Sequence, residues 1–119
     1  MRWLLVVAVC AACKQQAEPP PSPSPKPPNP AMPASEVKRA RDACQAYVDK
    51  VCACAETVPS MKQPCSLARA LPDAIQVNLE VGASDDTTRR DALQTQDSVR
   101  KIVKECIEEL AKLPAAGCP

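Results

Sequence analysis

Apolar residues recur at every third or fourth position over most of the chain after residue 34, which is the spacing of an amphipathic helix. Three such stripes follow one another in the sequence. They run from Val37 to Ala55, from Met61 to Leu79 and from Ala92 to Leu113. Each stripe predicts one helix with a single apolar face, and burial of the three faces against one another would give a common core.

Residues that begin, bend or end helices flank these stripes. We expect Ser35 to cap the first helix and Ser84 or Asp85 to cap the third, because their side chains accept hydrogen bonds from free backbone amides. Pro72 lies inside the second stripe and removes a backbone donor, so we expect a kink or two short helices there. Short connections favour antiparallel neighbours. The sequence therefore predicts an all-α fold, a small three-helix bundle that runs up, down, up within residues 35–119.

The predicted core lacks large side chains. Phenylalanine is absent from the chain, and Tyr47 is the one aromatic residue after residue 34. The core must therefore consist mostly of Ala, Val, Leu and Ile. A domain of this size buries only about 60% of its unfolded surface. We therefore expect covalent cross-links to supply part of its stability.

Six cysteines in this region are the candidates for those cross-links: Cys44, Cys52, Cys54, Cys65, Cys106 and Cys118. An even number in a short domain predicts disulfides, here three, provided that the chain is exported to an oxidising compartment. In the favoured scheme, Cys52 and Cys54 bond to Cys65 and Cys106, which leaves Cys118 for Cys44. The alternative joins Cys106 to Cys44 and Cys118 to the end of the first helix. This alternative requires the third helix to be shifted toward the start of the first helix.

The Cys52-Ala53-Cys54 pair is the one motif that suggests chemistry. Two nearby thiols could exchange with a substrate disulfide, or could bind a metal together with Cys65 and Cys106. On a helix, however, Cys52 and Cys54 lie about 80° to either side of the apolar stripe, so they face two different neighbouring helices. This geometry favours two separate structural bridges. A thiol-redox or thiolate metal-binding role remains the alternative function.

Composition excludes several classes of function. The chain has no histidine, which removes histidine-dependent nucleophile systems and the commonest general base. Fifteen Lys and Arg residues nearly balance 14 Asp and Glu residues, so no basic surface for nucleic acid is predicted. We expect no catalytic residue, no metal site and no cofactor, and we interpret the protein as a non-enzymatic one.

Before the domain, residues 19–33 form a proline-rich segment. Nine of these fifteen residues are proline. Proline fixes φ and lacks an amide donor, so this segment should be extended, with a length of roughly 45 Å at 3.1 Å per residue. We interpret residues 13–34 as a disordered tether that contributes nothing to the fold. A Pro-x-x-Pro ligand for an aromatic groove is the alternative interpretation.

The N-terminus has the organisation of an export signal. A basic end, Met1-Arg2, precedes an apolar run of ten residues from Trp3 to Ala12. Crossing a membrane takes roughly 20 residues, whereas a secretory signal needs about 7–15. The run ends in Cys10-Ala11-Ala12-Cys13, which resembles the lipobox of bacterial lipoproteins. This resemblance implies a signal peptide over residues 1–12 and a lipid on Cys13.

Three alternatives to this N-terminal interpretation remain open: cleavage before Cys10, an ordinary signal peptide cut elsewhere, and an uncleaved cytosolic N-terminus. The number of cysteines favours cleavage before Cys13. Cys10 would then leave with the signal peptide and Cys13 would carry the lipid, so an even number of cysteines, six, would remain for disulfides. Together with the proline-rich tether and the Cys52-Ala53-Cys54 pair, the lipobox makes the chain similar to small cysteine-rich lipoproteins of Gram-negative bacteria. Most of these have no assigned function.

The resemblance implies a place in the bacterial cell envelope, with the membrane as a partner through the N-terminal lipid. Lys14 follows the lipid site and resembles a signal for the outer membrane rather than the inner one. The predicted function is that of a non-enzymatic envelope lipoprotein. It presents a disulfide-linked helical domain for contacts with a protein partner that the sequence does not identify.

Overall fold

A computed structural model describes residues 18–119 of the chain, and over this range it is helical and contains no strand. The predicted signal peptide, Cys13 and Lys14 lie outside the described residues. The helices are α1 (Ala34–Cys54), α2 (Lys62–Ala68), α3 (Leu71–Ala83) and α4 (Arg89–Lys112). Two 3-10 turns, Pro59–Met61 and Pro114–Ala116, follow α1 and α4. With α2 and α3 as the middle segment, the all-α, up-down-up three-helix bundle is confirmed.

Helix α1 begins one residue before Ser35, so the prediction that Ser35 caps it is wrong. The N-cap is Pro33, whose carbonyl oxygen accepts the backbone N–H of Val37 at 3.0 Å. A proline is tolerated at this place because its missing N–H would have had no partner inside the helix, and its φ of −55° and ψ of 137° are the non-helical angles of an N-cap residue. No side chain caps this end of α1.

The expected break at Pro72 is confirmed. Helix α2 ends at Ala68, and α3 begins at Leu71 with Pro72 in its first turn, where the missing N–H costs nothing. The middle segment of the bundle is therefore two helices. Ala68 and Ile75, one from each, are buried against the other helices.

Helix α4 is capped by Thr88, and the prediction of Ser84 or Asp85 is wrong. The Thr88 hydroxyl accepts the backbone N–H of Asp91 at 3.1 Å and donates to the Asp91 carboxylate at 2.7 Å. The Asp91 carboxylate thereby holds the Thr88 hydroxyl in its capping position. Ser84 and Asp85 instead belong to the turn that connects α3 to α4.

Helices α1 and α4 run parallel, and pairs of residues between them keep a nearly constant sequence separation. Glu36 contacts Arg100 across 64 residues, and Cys44 bonds to Cys106 across 62. Helices α2 and α3 return between them. The predicted stripes supply the core: Ala40, Cys44, Tyr47, Val51, Ile75, Ala92, Val99, Cys106 and Leu113 are all buried.

The last part of the proline-rich segment packs on the bundle, which corrects the prediction of a tether with no role in the fold. We call residues 26–33 the strap. Met32 is half-buried and packs against the core, and Asn29 and Pro30 are also partly buried. Residues 18–28 are exposed. Among the described residues, no helix is long and apolar enough to span a membrane.

Candidate functional site

All six candidate cysteines are in disulfides. The bridges are Cys44–Cys106, Cys52–Cys65 and Cys54–Cys118, with Cα–Cα distances of 5.0, 4.7 and 5.4 Å. The first links α1 to α4, the second links α1 to α2, and the third links the end of α1 to the tail after α4. As the helical geometry predicted, Cys52 and Cys54 bond to two different neighbours.

The favoured pairing is wrong, and the alternative pairing is the one observed. The favoured scheme placed Cys106 level with Cys52 and Cys54, whereas Cys106 lies level with Cys44. The difference is about two helical turns, or about 12 Å along α1. The tail after α4 then continues upward through the Pro114–Ala116 turn. Gly117, at φ 89°, redirects the chain so that Cys118 meets Cys54.

The three bridges differ in their access to solvent. Cys44 and Cys106 are fully buried, and Cys118 is 2% exposed, whereas Cys52 is only partly buried. None of these six sulfurs is a free thiol in this state. Within residues 18–119, no cluster of three or more cysteine, histidine or acidic side chains is arranged to hold a metal ion.

Tyr47 lies beside the buried Cys44–Cys106 bridge, one turn further along α1, and is 6% exposed. Burial raises the pKa of its phenol, and the nearby carboxylates of Glu109 and Glu105 raise it further. The pKa shift therefore reflects packing at the α1–α4 contact. Tyr47 stays neutral at physiological pH and acts as the largest side chain of the core.

The strap crosses a groove between the end of α3 and the first half of α4. Asn29 and Lys26 both donate to the carbonyl oxygen of Thr87, at 2.8 and 2.9 Å. On the other side of the groove, the side chain of Gln96 donates to the carbonyl oxygen of Pro30 at 2.7 Å. These bonds fasten the strap to the α3–α4 connection and to α4.

An ion pair holds the chain in place where the strap enters α1. The guanidinium of Arg100 donates to the Glu36 carboxylate at 2.7 Å. This hydrogen bond lowers the pKa of Glu36 and raises that of Arg100. Arg100 also pairs with Asp97 on its own helix. The start of α1, and with it the strap, is thus fixed to the middle of α4.

A close approach of two helices forms the floor of this groove. A Cβ atom on Gly82 of α3 would lie 2.5 Å from the hydroxyl oxygen of Thr95 on α4. The hydroxyl is itself held by a 2.8 Å bond to the carbonyl oxygen of Ala92. Glycine thus permits an approach at which any other residue would force a neighbour to move.

The sequence interpretation missed the strap groove because its signals are spread over distant positions. Gly82 follows the second stripe, which ends at Leu79, and Gln96 lies within the third stripe, from Ala92 to Leu113. A glycine inside α3 and a polar residue in the stripe of α4 mark the groove. The two residues indicate a groove only once residues 26–33 are seen to lie against them.

No model of a known protein family matches the chain. No curated protein and no solved structure shows significant similarity to it.

Proposed function

We propose that this protein is a non-enzymatic lipoprotein of the bacterial cell envelope, anchored through a lipid on Cys13 after removal of residues 1–12. The observation that carries the proposal is that every cysteine after residue 13 is used in one of three disulfides. Disulfides of this density belong to small exported domains, because the cytosol keeps thiols reduced. The lipobox-like junction before Cys13 supplies the anchor.

The domain presents its surface for contacts with another protein. Val77 and Val81 lie one turn apart on the outer side of α3, and each exposes about half of its side chain, 56% and 48%. In an oxidising compartment the three disulfides stay formed and keep the helices in place. The domain therefore offers a fixed helical surface. Lys14 favours the outer membrane as the place of display.

The mass of the protein in membranes tests the anchor. The mass of the detergent-extracted protein should equal that of residues 13–119 plus the attached acyl groups. Cys13→Ala should abolish the acylation and release the protein from the membrane. Cys10→Ala is the matched control, because Cys10 leaves with the signal peptide, and it should change neither result. A Cys13→Ala protein that stays membrane-bound with an unchanged mass would refute the proposal.

Thiol redox chemistry is the second candidate function, and the partial exposure of Cys52 favours the Cys52–Cys65 bridge as its site. A dithiol substrate would attack this bridge and leave as a disulfide, while Cys52 and Cys65 become thiols. A count of free thiols in the exported, folded protein decides between the two functions. None is expected for the structural role, whereas two or more free thiols, or bound zinc or copper, would favour the redox or metal role.

A further inference from the structure

The strap spans its groove without filling it. A half-open pocket of about 590 Å³ is lined by residues of both the strap and the helices. Pro28 and Met32 line it on the strap side, and Leu79, Gly82 and Ala92 line it on the helix side. A chain segment seated deeper than the strap would gain apolar contacts that the strap does not make, because unfilled space forfeits dispersion contacts.

The bonds that hold the strap show what chemistry the groove recognises. An extended proline-rich chain makes no internal hydrogen bonds, so its carbonyl oxygens are free to accept, as Pro30 accepts from Gln96. At the other end, the exposed carbonyl oxygen of Thr87 takes two donors, from Lys26 and Asn29. Asp85 lines the same end and adds negative charge, which favours a basic residue there.

We propose that the α3–α4 groove is a docking site for an extended, proline-rich segment of a partner protein that carries a basic residue beside its prolines. The strap occupies this site in the free protein and would compete with the partner segment for it. The proposal deepens, and rests on, the protein-contact role proposed above. Proline-rich segments suit such a site because they lose little conformational entropy on binding.

Release of the strap also changes the greatest distance that the domain can lie from the lipid on Cys13. While the strap is docked, residues 26–33 do not lengthen the connection between Cys13 and the domain. Undocked, residues 26–33 add about 25 Å at 3.1 Å per residue. A partner segment that displaces the strap would therefore let the domain stand further from the membrane while it is bound.

A peptide with the sequence of residues 24–33 is the probe, titrated into the ¹⁵N-labelled full chain in a mild detergent. The measurement follows the amide signals of Thr87, Thr95 and Gln96. The intramolecular strap competes at an effective concentration of about millimolar. In the Lys26→Ala, Asn29→Ala double variant the strap loses its bonds to Thr87, so the peptide should bind about tenfold more tightly.

Two matched controls make the titration specific. Gln96→Ala should weaken peptide binding, whereas Gln94→Ala, an exposed glutamine on the same helix, should not change it. A peptide in which glycine replaces each proline should bind at least about tenfold more weakly, because it loses its preformed extended shape. The amide spectrum of each variant checks that the helices are intact.

Three results would overturn the proposal. The first is the absence of shifts at Thr87 and Gln96 in the folded double variant when the peptide concentration exceeds the strap's effective concentration of about millimolar. The second is equal binding of the glycine peptide. The third is concentration-dependent dimerisation of the full chain with exchange of straps, which would assign the groove to a second copy. Because each readout is at the groove, failure of lipidation at Cys13 would leave the outcome unaffected.

Discussion

Cys44 and Cys106 join two parallel helices, α1 and α4, although 62 residues separate them in the sequence. Two to three turns further along α1, the Cys54–Cys118 bridge joins the end of α1 to the tail after α4, with a similar separation of 64. Parallel neighbours need a return path between them, and α2 and α3 supply it. The two bridges therefore fix both the direction and the register of α4 against α1.

This register predicts a specific pattern of cross-linked peptides after trypsin digestion without reduction. Residues 42–50 should be joined to residues 105–112. Residues 51–62, which carry both Cys52 and Cys54, should be joined to residues 63–69 and also to residues 113–119 in one three-chain species. Mass spectrometry identifies both species, and fragmentation within residues 51–62 assigns the two partners.

The same digest also tests the pairing that the sequence favoured. A bond between Cys44 and Cys118 would join residues 42–50 to residues 113–119. Detection of that species would contradict the register of α4. Reduction before digestion is the control, since it should release every peptide as a single chain.

Much of the fold follows from the local sequence. The three stripes, the break at Pro72 and the divergence of Cys52 from Cys54 depend on helical periodicity and on proline, which act within a few residues. The sequence also identified all six cysteines of the bridges. Even the core position of Tyr47 follows from its place in the first stripe.

The level of α4 against α1 could not be predicted in the same way. It depends on where the α3–α4 connection ends, and Thr88 with Asp91 settles this rather than Ser84 or Asp85. A cap displaced by three or four residues moves a whole helix along its axis. Strap docking is equally non-local, because Asn29 and its acceptor on Thr87 are 58 residues apart.

Removal of the Cys44–Cys106 bridge should destabilise the domain more than removal of Cys52–Cys65. The closed loops span 62 and 13 residues, and loop-closure entropy assigns about 4 and about 3 kcal/mol to the two bridges. The Cys44 pair is also fully buried, so two alanines there leave a cavity. Urea unfolding of the two double-alanine variants measures the difference, and equal midpoints would contradict it.

Acid should weaken the attachment of α1 to α4 through Glu36. The hydrogen bond from Arg100 lowers the pKa of Glu36 below its ordinary value of 4.5. The carboxylate therefore stabilises the fold fully above about pH 4.5, and this contribution is lost as the pH falls through the lowered pKa of the folded state. Glu36→Gln should reduce stability at pH 7, and the deficit should shrink in acid.

Thermal midpoints of the Glu36→Gln variant and the unaltered protein between pH 7 and acid give the comparison. Glu56→Gln removes the same charge from an exposed position outside the observed ion pairs of residues 18–119 and serves as the control. A deficit for Glu36→Gln that stays constant as the pH falls would show that the ion pair does not operate.

Two deletions should separate the strap from the rest of the tether. Residues 19–25 are exposed, so their removal should leave the thermal midpoint unchanged. Removal of residues 26–32 takes away the packing of Met32 and the bonds at Thr87 and Gln96, at a cost of about 1–2 kcal/mol. For a domain of this size, 1 kcal/mol corresponds to a decrease of roughly 4–8 °C. Equal midpoints for the two deletions would show that the strap adds no stability.

Gly82→Ala should destabilise the protein even though alanine normally favours a helix interior by roughly 0.5–1 kcal/mol over glycine. The new Cβ would lie 2.5 Å from the Thr95 hydroxyl, which is held by Ala92 on the same helix. Relief of this overlap must move α3 from α4 or break that bond, and such overpacking costs about 1–3 kcal/mol. In a Thr95→Ala background the obstacle is gone, so Gly82→Ala should become stabilising. A double-mutant cycle by urea unfolding measures this change of sign, and additive effects would show that the two residues do not meet.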